Sequence, residues 1–279
     1  MRGRRVLRGW RAVRLGAALL PLILAACSQG FSVPSGQSDI ERTWSQAVVV
    51  LPPAASGQDP RVGRLSSREI RRATQIFANG PGAPTAVYLH GCTGIGNYAF
   101  FDTLARAGYA VIAPDSFARS YRPLQCEPET KTGGNNLFVY DFRLAELTFA
   151  LERMGGLDWI DFDNLFLIGT SEGAVATALF RAEVFNARVI AQWTCQGAPL
   201  VRGIDAPAGT PILSIVGVDD PYYDAANTPK QQGHCGAFMA GRPQSRSFIL
   251  PEGAGHYIYD DPRAVGEIIA FMGEHLRRR

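Results

Sequence analysis

One serine lies between two glycines, in the segment Gly169-Thr170-Ser171-Glu172-Gly173, which fits G-x-S-x-G. The apolar run Leu165-Phe166-Leu167-Ile168 leads into it, and an alanine-rich segment from Ala174 to Ala182 follows. That order predicts strand, tight turn and helix. In such a turn the glycines relieve crowding, and the serine backbone is held in a strained conformation that lifts its hydroxyl above a sheet. A hydroxyl is a weak nucleophile until a neighbouring base takes its proton. A base, and an acid to orient it, are therefore expected further along, in the order serine, acid, histidine.

The chain supplies both. Thr210 to Gly217 is an apolar, β-branched run ending in glycine, and Val218-Asp219-Asp220-Pro221 follows it. Asp220 is the preferred acid, because the proline after it has a fixed φ and no N–H and favours a turn that projects the carboxylate. Asp219 is expected to be a solvated loop acid. Ser245 to Leu250 predicts another strand, and Gly253-Ala254-Gly255-His256 puts a histidine in the glycine-rich loop after it. The other three histidines fit less well. His90 precedes the serine, His234 sits beside Cys235 in a polar loop, and His275 lies near the terminal arginines. Ser171, Asp220 and His256 thus fall after separate strands, at the sheet edge where open α/β sheets build their sites.

His90-Gly91-Cys92-Thr93-Gly94 follows the run Ala86-Val87-Tyr88-Leu89. An oxyanion hole behind such a serine takes one backbone N–H from the next residue and another from the loop after an earlier strand. Those donors would be the N–H groups of Glu172 and Cys92. Aimed at a developing oxyanion, such a group is worth about 3–4 kcal/mol.

The chain resembles the dienelactone-hydrolase-like group of α/β-hydrolases over roughly residues 80 to 276. The resemblance rests on Tyr88 to Gly94, on Leu104-Ala105-Arg106-Ala107-Gly108-Tyr109-Ala110-Val111-Ile112-Ala113-Pro114-Asp115-Ser116, on the glycine-flanked serine, and on Asp220 and His256. It implies hydrolysis of a carboxylic ester or similar acyl bond, with a small-molecule ester as substrate. Dienelactone hydrolases proper use a cysteine nucleophile where this chain has Ser171, so the resemblance implies no particular compound. Two rival readings remain: a peptidase or thioesterase with the same triad, or a catalytically silent binding module of the cell envelope.

The first 26 residues differ in kind. Arg2, Arg4, Arg5, Arg8, Arg11 and Arg14 form a basic stretch without acids, and Leu15 through Ala26 is apolar. That run is shorter than the roughly 20 residues a membrane-crossing helix needs, and basic-then-apolar order is that of a secretory signal. It ends Leu24-Ala25-Ala26-Cys27, which resembles a bacterial lipoprotein signal with Cys27 as the lipid-modified residue. The reading is of an exported protein, held to a membrane through Cys27. Removing six arginines from 28 basic residues leaves 22 against 25 acids, a net charge of −3. No basic stripe with interleaved aromatics is present, so nucleic acid is not expected as a partner.

Setting Cys27 aside leaves Cys92, Cys126, Cys195 and Cys235. Outside the cytoplasm an even number favours disulfides, and four cysteines allow three pairings. The pairs expected are Cys92–Cys126, tying the oxyanion loop to the irregular segment after Asp115, and Cys195–Cys235, linking two later loops. With no C-x-x-C and no Cys/His cluster, a metal site is not expected. No cofactor is needed for the chemistry.

Ser28 to Ser38, rich in Ser, Gly and Gln, reads as a flexible tether, with residues 27–45 preceding one domain over 46–279. Ala47 to Leu51 is a predicted strand, residues 56–64 a loop, and residues 68–77 either strand or short helix. Further strands are expected near 85–90, 109–113, 164–168, 187–193, 210–216 and 246–250. Helices are expected near 97–107, 137–154, 172–182 and 263–276. The alternation predicts an α/β-hydrolase fold, a mostly parallel sheet with helices on both faces. Only 49 positions separate Ser171 from Asp220, which leaves no room for a large lid. Loops around 116–135 and 221–243, bearing Tyr121, Arg122, Tyr222, Tyr223 and His234, are expected to wall the cleft.

Overall fold

A computed structural model describes residues 36–54, 58–77, 80–134, 136, 138–223 and 233–277. Residues 1–26, expected as a signal, Cys27, expected to be lipid-modified, and residues 28–35, expected as tether, lie outside the described residues. Among the described residues ten strands occur: β1 (Val48–Leu51), β2 (Arg61–Arg64), β3 (Ala83–Leu89), β4 (Ala110–Ala113), β5 (Cys126–Glu127), β6 (Thr132–Gly133), β7 (Ile160–Thr170), β8 (Ala187–Ala191), β9 (Ile212–Gly217) and β10 (Arg246–Leu250). Eight of them form one sheet in the order β10-β9-β8-β7-β3-β4-β1-β2. From β10 to β4 all pairings are parallel, while β1 is antiparallel to both β4 and β2. β5 and β6 make a separate small hairpin.

The α-helices among the described residues are α1 (Asp39–Ser45), α2 (Arg68–Ala73), α3 (Tyr98–Arg106), α4 (Phe138–Met154), α5 (Glu172–Leu179) and α6 (Pro262–Glu274). Successive strand residues point to opposite faces, and here both faces are apolar. Ala86, Tyr88, Val111 and Ile168 pack with Phe101 and Leu104 of α3 and with Ile268 and Phe271 of α6. Val87, Leu89, Ile112 and Leu167 pack with Leu147 and Met154 of α4 and Ala176 of α5. Burial on both sides explains why these strands read as unbroken apolar runs.

Three expectations are corrected. Residues 39–45, read as tether, are helical: Ser38 and Glu41 make a reciprocal capping box, and α1 packs against α4 with Thr43 buried. Residues 61–64, read as loop, form the edge strand β2, which lies against Val48–Leu51. The helix expected to reach residue 182 stops at Leu179, because the buried Arg188 guanidinium takes the Thr177 and Ala182 carbonyls at 3.1 and 2.7 Å and also bonds the Phe180 carbonyl. Residues 68–76 resolve as α2 followed by a short 3-10 turn. Gln37–Arg279 cluster as one compact unit.

Candidate active site

Ser171 sits between the end of β7 and the start of α5. Its φ is +52°, a region that costs a residue bearing a Cβ on the order of 1–3 kcal/mol unless its surroundings impose it. The flanking glycines impose it. A Cβ on Gly169 would lie 2.1 Å from Thr177 Oγ1, and one on Gly173 would lie 2.1 Å from the Leu89 carbonyl oxygen. Only chain without side chains fits between β3 and α5 here, and Ser171 takes the bend between them. Its own N–H donates to the Ala191 carbonyl at 2.9 Å.

The three residues expected to act together are brought together. His256 Nε2 lies 3.2 Å from Ser171 Oγ, and His256 Nδ1 lies 2.7 Å from Asp220 Oδ2. Asp220 and His256 are buried. Asp220 Oδ1 accepts the Tyr222 N–H at 3.0 Å, so the turn after the acid fixes its rotation. The Tyr222 ring packs on the imidazole with centroids 4.4 Å apart. The Gln192 amide donates to the His256 carbonyl. Asp219 points elsewhere. It is exposed, as expected of a solvated acid, but it also accepts the Gly253 and Gly255 N–H groups at 2.7 and 2.9 Å. Those bonds, Gly255 first, hold its carboxyl below the usual range and brace the loop that carries His256.

Cys92 and Glu172 line the cleft at Ser171. The loop bearing Cys92 runs beside the serine, since a Cβ on Gly91 would sit 3.5 Å from Ser171 Cβ. Both expected disulfides are present, Cys92–Cys126 and Cys195–Cys235. The first joins the Cys92 loop to hairpin β5–β6. In the second, Cys235 lies against the Trp193 carbonyl.

A buried polar cluster beneath the Cys92 loop is absent from the sequence reading. His90 donates from Nδ1 to the Gly91 carbonyl at 2.7 Å, and its Nε2 accepts from Ser116 N at 3.1 Å and Arg143 Nη1 at 3.0 Å. Burial first, then the Arg143 charge, hold His90 well below the usual histidine range, so it is neutral. Arg143 also reaches the His90 carbonyl and Glu146. Glu146 in turn accepts from Arg119 at 2.6 Å and from the Ser116 hydroxyl at 2.9 Å. The buried Glu172 side chain pairs with Arg122, with Arg143 at 3.7 Å. Burial pushes its carboxyl up, while the two guanidiniums pull the other way. Arg122, expected as a cleft wall, is instead a buried counter-ion. Tyr121 is exposed, whereas Tyr222 and Tyr223 line the cleft as expected. The only sequence trace of this cluster is Arg143 and Glu146 spaced for one helix face.

Among the described residues no three His, Cys, Asp or Glu side chains converge to hold a metal ion. The arrangement can do acyl transfer: a positioned hydroxyl, a base in contact with it, and an acid holding the base in the tautomer with its proton on Nδ1.

No family model matches the chain, and no curated protein matches it. Solved structures do. A Klebsiella pneumoniae protein provisionally assigned as a dienelactone hydrolase is similar at 17% identity and a TM-score of 0.50, covering 82% of this chain and 99% of its own. Thermus thermophilus TT1662 is similar at 20% identity and a TM-score of 0.50, covering 83% and 99%. At such identities the likeness is one of architecture, and the architecture is the α/β-hydrolase fold.

Proposed function

We propose that the protein is a serine hydrolase acting on carboxylic esters through an acyl-enzyme. Ser171 Oγ attacks the acyl carbon while His256 Nε2 takes its proton. Asp220 orients the imidazole and stabilises its cationic form. The N–H groups of Cys92 and Glu172 receive the developing oxyanion. His256 then gives the proton to the departing alkoxide, and water activated by the same imidazole releases the acid and restores the serine. The observation that carries this reading is the continuous contact from Asp220 through His256 to Ser171, at 2.7 and 3.2 Å. No metal or organic cofactor has a part in these steps.

Export and a lipid anchor at Cys27 belong to the same proposal. Two disulfides support an oxidising compartment, and the order of residues 1–27 supports the anchor. Mass spectrometry of the mature N-terminus tests it: an unmodified Cys27 overturns the anchor. For the activity, Ser171→Ala should abolish hydrolysis of p-nitrophenyl acetate and labelling by a fluorophosphonate, with an unchanged thermal melt. Retained activity removes Ser171 as nucleophile. Cleavage of peptide or thioester panels in preference to esters moves the enzyme to another acyl class.

A further inference from the structure

Two cavities meet at Ser171, and both are bordered by Cys92 and Tyr222. They differ in size, lining and access to the base. The first holds about 60 Å³ and is walled by Val175, Trp193, Tyr140, Tyr223 and the Cys92–Cys126 disulfide. The second holds about 330 Å³, and Thr93, Asn97, Gln192, Tyr257 and Asp260 line it. His256 lines the second cavity and not the first.

Proton transfer decides which part of an ester goes where. When the tetrahedral intermediate collapses, the bond between the acyl carbon and the alkoxy oxygen breaks. The proton taken from Ser171 passes from His256 Nε2 to that oxygen. The leaving oxygen must therefore lie within hydrogen-bond reach of Nε2. The alcohol then extends into the cavity that His256 lines. The acyl substituent is directed the other way, into the narrow cavity.

We infer that this site takes esters of a short acyl group with a bulky polyhydroxylated alcohol; the inference rests on Ser171 and His256 acting as proposed above. A cavity of about 150 Å³ holds the six carbons of benzene. By that measure the 60 Å³ cavity accepts roughly two or three carbons, an acetyl or propionyl group. The wide cavity reaches the size of pockets for larger ligands, about 300–1,000 Å³. Its hydroxyl, amide and carboxylate groups offer hydrogen-bond partners to several hydroxyls at once. The Gln192 and Asn97 amide nitrogens already donate to the His256 carbonyl and the Tyr88 hydroxyl, so the partners offered to the alcohol are chiefly Thr93, Tyr257 and Asp260, and an aliphatic alcohol would gain nothing from them.

The test uses the full chain with two sets of substrates and one variant. Among p-nitrophenyl esters, kcat/KM for acetyl should exceed that for octanoyl at least about 100-fold, the scale on which a tight apolar pocket rejects extra methylenes. 6-O-Acetylglucose, a primary acetate whose alcohol keeps its other hydroxyls free, should exceed ethyl acetate at least about tenfold, because those hydroxyls can pair with the polar groups of the wide cavity. Val175→Ala, which opens the narrow cavity, should raise the hexanoyl-to-acetyl ratio several-fold. A labelled, active enzyme that prefers octanoyl overturns the acyl assignment and leaves the nucleophile standing. Equal or better use of ethyl acetate overturns the alcohol assignment in the same way. Absence of labelling and of all ester turnover overturns the function itself. Should Val175→Ala fail to fold, the substrate panel on the unaltered chain decides.

Discussion

Replacing Asp220 with asparagine tests the reasoning at its narrowest point. Asp220 has two tasks: Oδ1 accepts the Tyr222 N–H at 3.0 Å, and Oδ2 faces His256 Nδ1 at 2.7 Å. Asparagine keeps the shape but has one oxygen. The Tyr222 N–H is a backbone donor that cannot turn away, so it claims that oxygen. The amide NH2 is then left facing Nδ1. A donor there obliges His256 to keep its lone pair on Nδ1 and its proton on Nε2, the atom 3.2 Å from Ser171 Oγ. In that tautomer Nε2 cannot accept the serine proton. The same substitution in serine proteases lowers kcat about 10⁴-fold, equivalent to about 5.5 kcal/mol at about 1.4 per decade. The comparator is Asp219→Asn. Asp219 is exposed, and its bonds are to Gly253 N and Gly255 N rather than to the imidazole, so less than about a tenfold loss is expected. The assay is kcat/KM on p-nitrophenyl acetate at constant pH, with a thermal melt beside it. The reasoning fails if Asp220→Asn keeps more than about a tenth of the activity, the ten-per-1.4 kcal/mol scale, or if Asp219→Asn is the more damaging of the two.

Further outcomes follow from other contacts. Gly173→Ala places a methyl 2.1 Å from the Leu89 carbonyl oxygen, whereas Gly91→Ala meets nothing nearer than 3.5 Å; the first should cost about 3 kcal/mol or more and the second under about 1, read by urea midpoints, and equal effects would refute the packing account. His90 and His275 are both held below the usual histidine value, chiefly by burial. The unfolded chain therefore takes up protons near pH 6.5 that the folded protein refuses, so stability is level above that pH and falls below it, by up to about 1.4 kcal/mol per unit for the fully buried His90 and by less for the partly exposed His275. A flat urea midpoint from pH 7.5 to 5.5 contradicts this. The disulfides close loops with sequence separations of 34 and 40, for which chain entropy gives about 4 kcal/mol each. Cys92→Ala with Cys126→Ala should lower stability by up to that amount and reduce turnover beyond the unfolded fraction, since Cys92 lines the site. Unchanged kcat in the folded variant would show that the cross-link does not shape the cleft.

Central elements were legible because burial on both faces leaves a run such as Leu165 to Ile168 with no polar interruption. The elbow was legible because its glycines answer to backbone contacts that no other residue satisfies. The edge was not. Arg61–Arg64 is exposed along most of its length, and an edge strand with charged residues has no apolar alternation to betray it. α1 was hidden by its short length and by the polar segment before it, although Ser38 and Glu41 carry the capping spacing. Least legible were the buried charges. Arg122, Arg143, Glu146 and Glu172 look like surface residues, because composition alone places charge outside. Their pairing links positions 50 residues apart in the case of Arg122 and Glu172, which no local pattern encodes. Tyr222 was read as cleft wall, but its backbone duty to Asp220 depends on a turn conformation that Pro221 only suggests.

The bend at residue 171 makes its demands on its neighbours. Gly169, Gly173 and the Leu89 carbonyl fix the path of the chain, and the residue at the apex contributes only what hangs from its Cβ. Sulfur in place of oxygen would leave that path untouched. The scaffold is thus indifferent to which atom it presents, and thiol and alcohol chemistry are one substitution apart on the same frame.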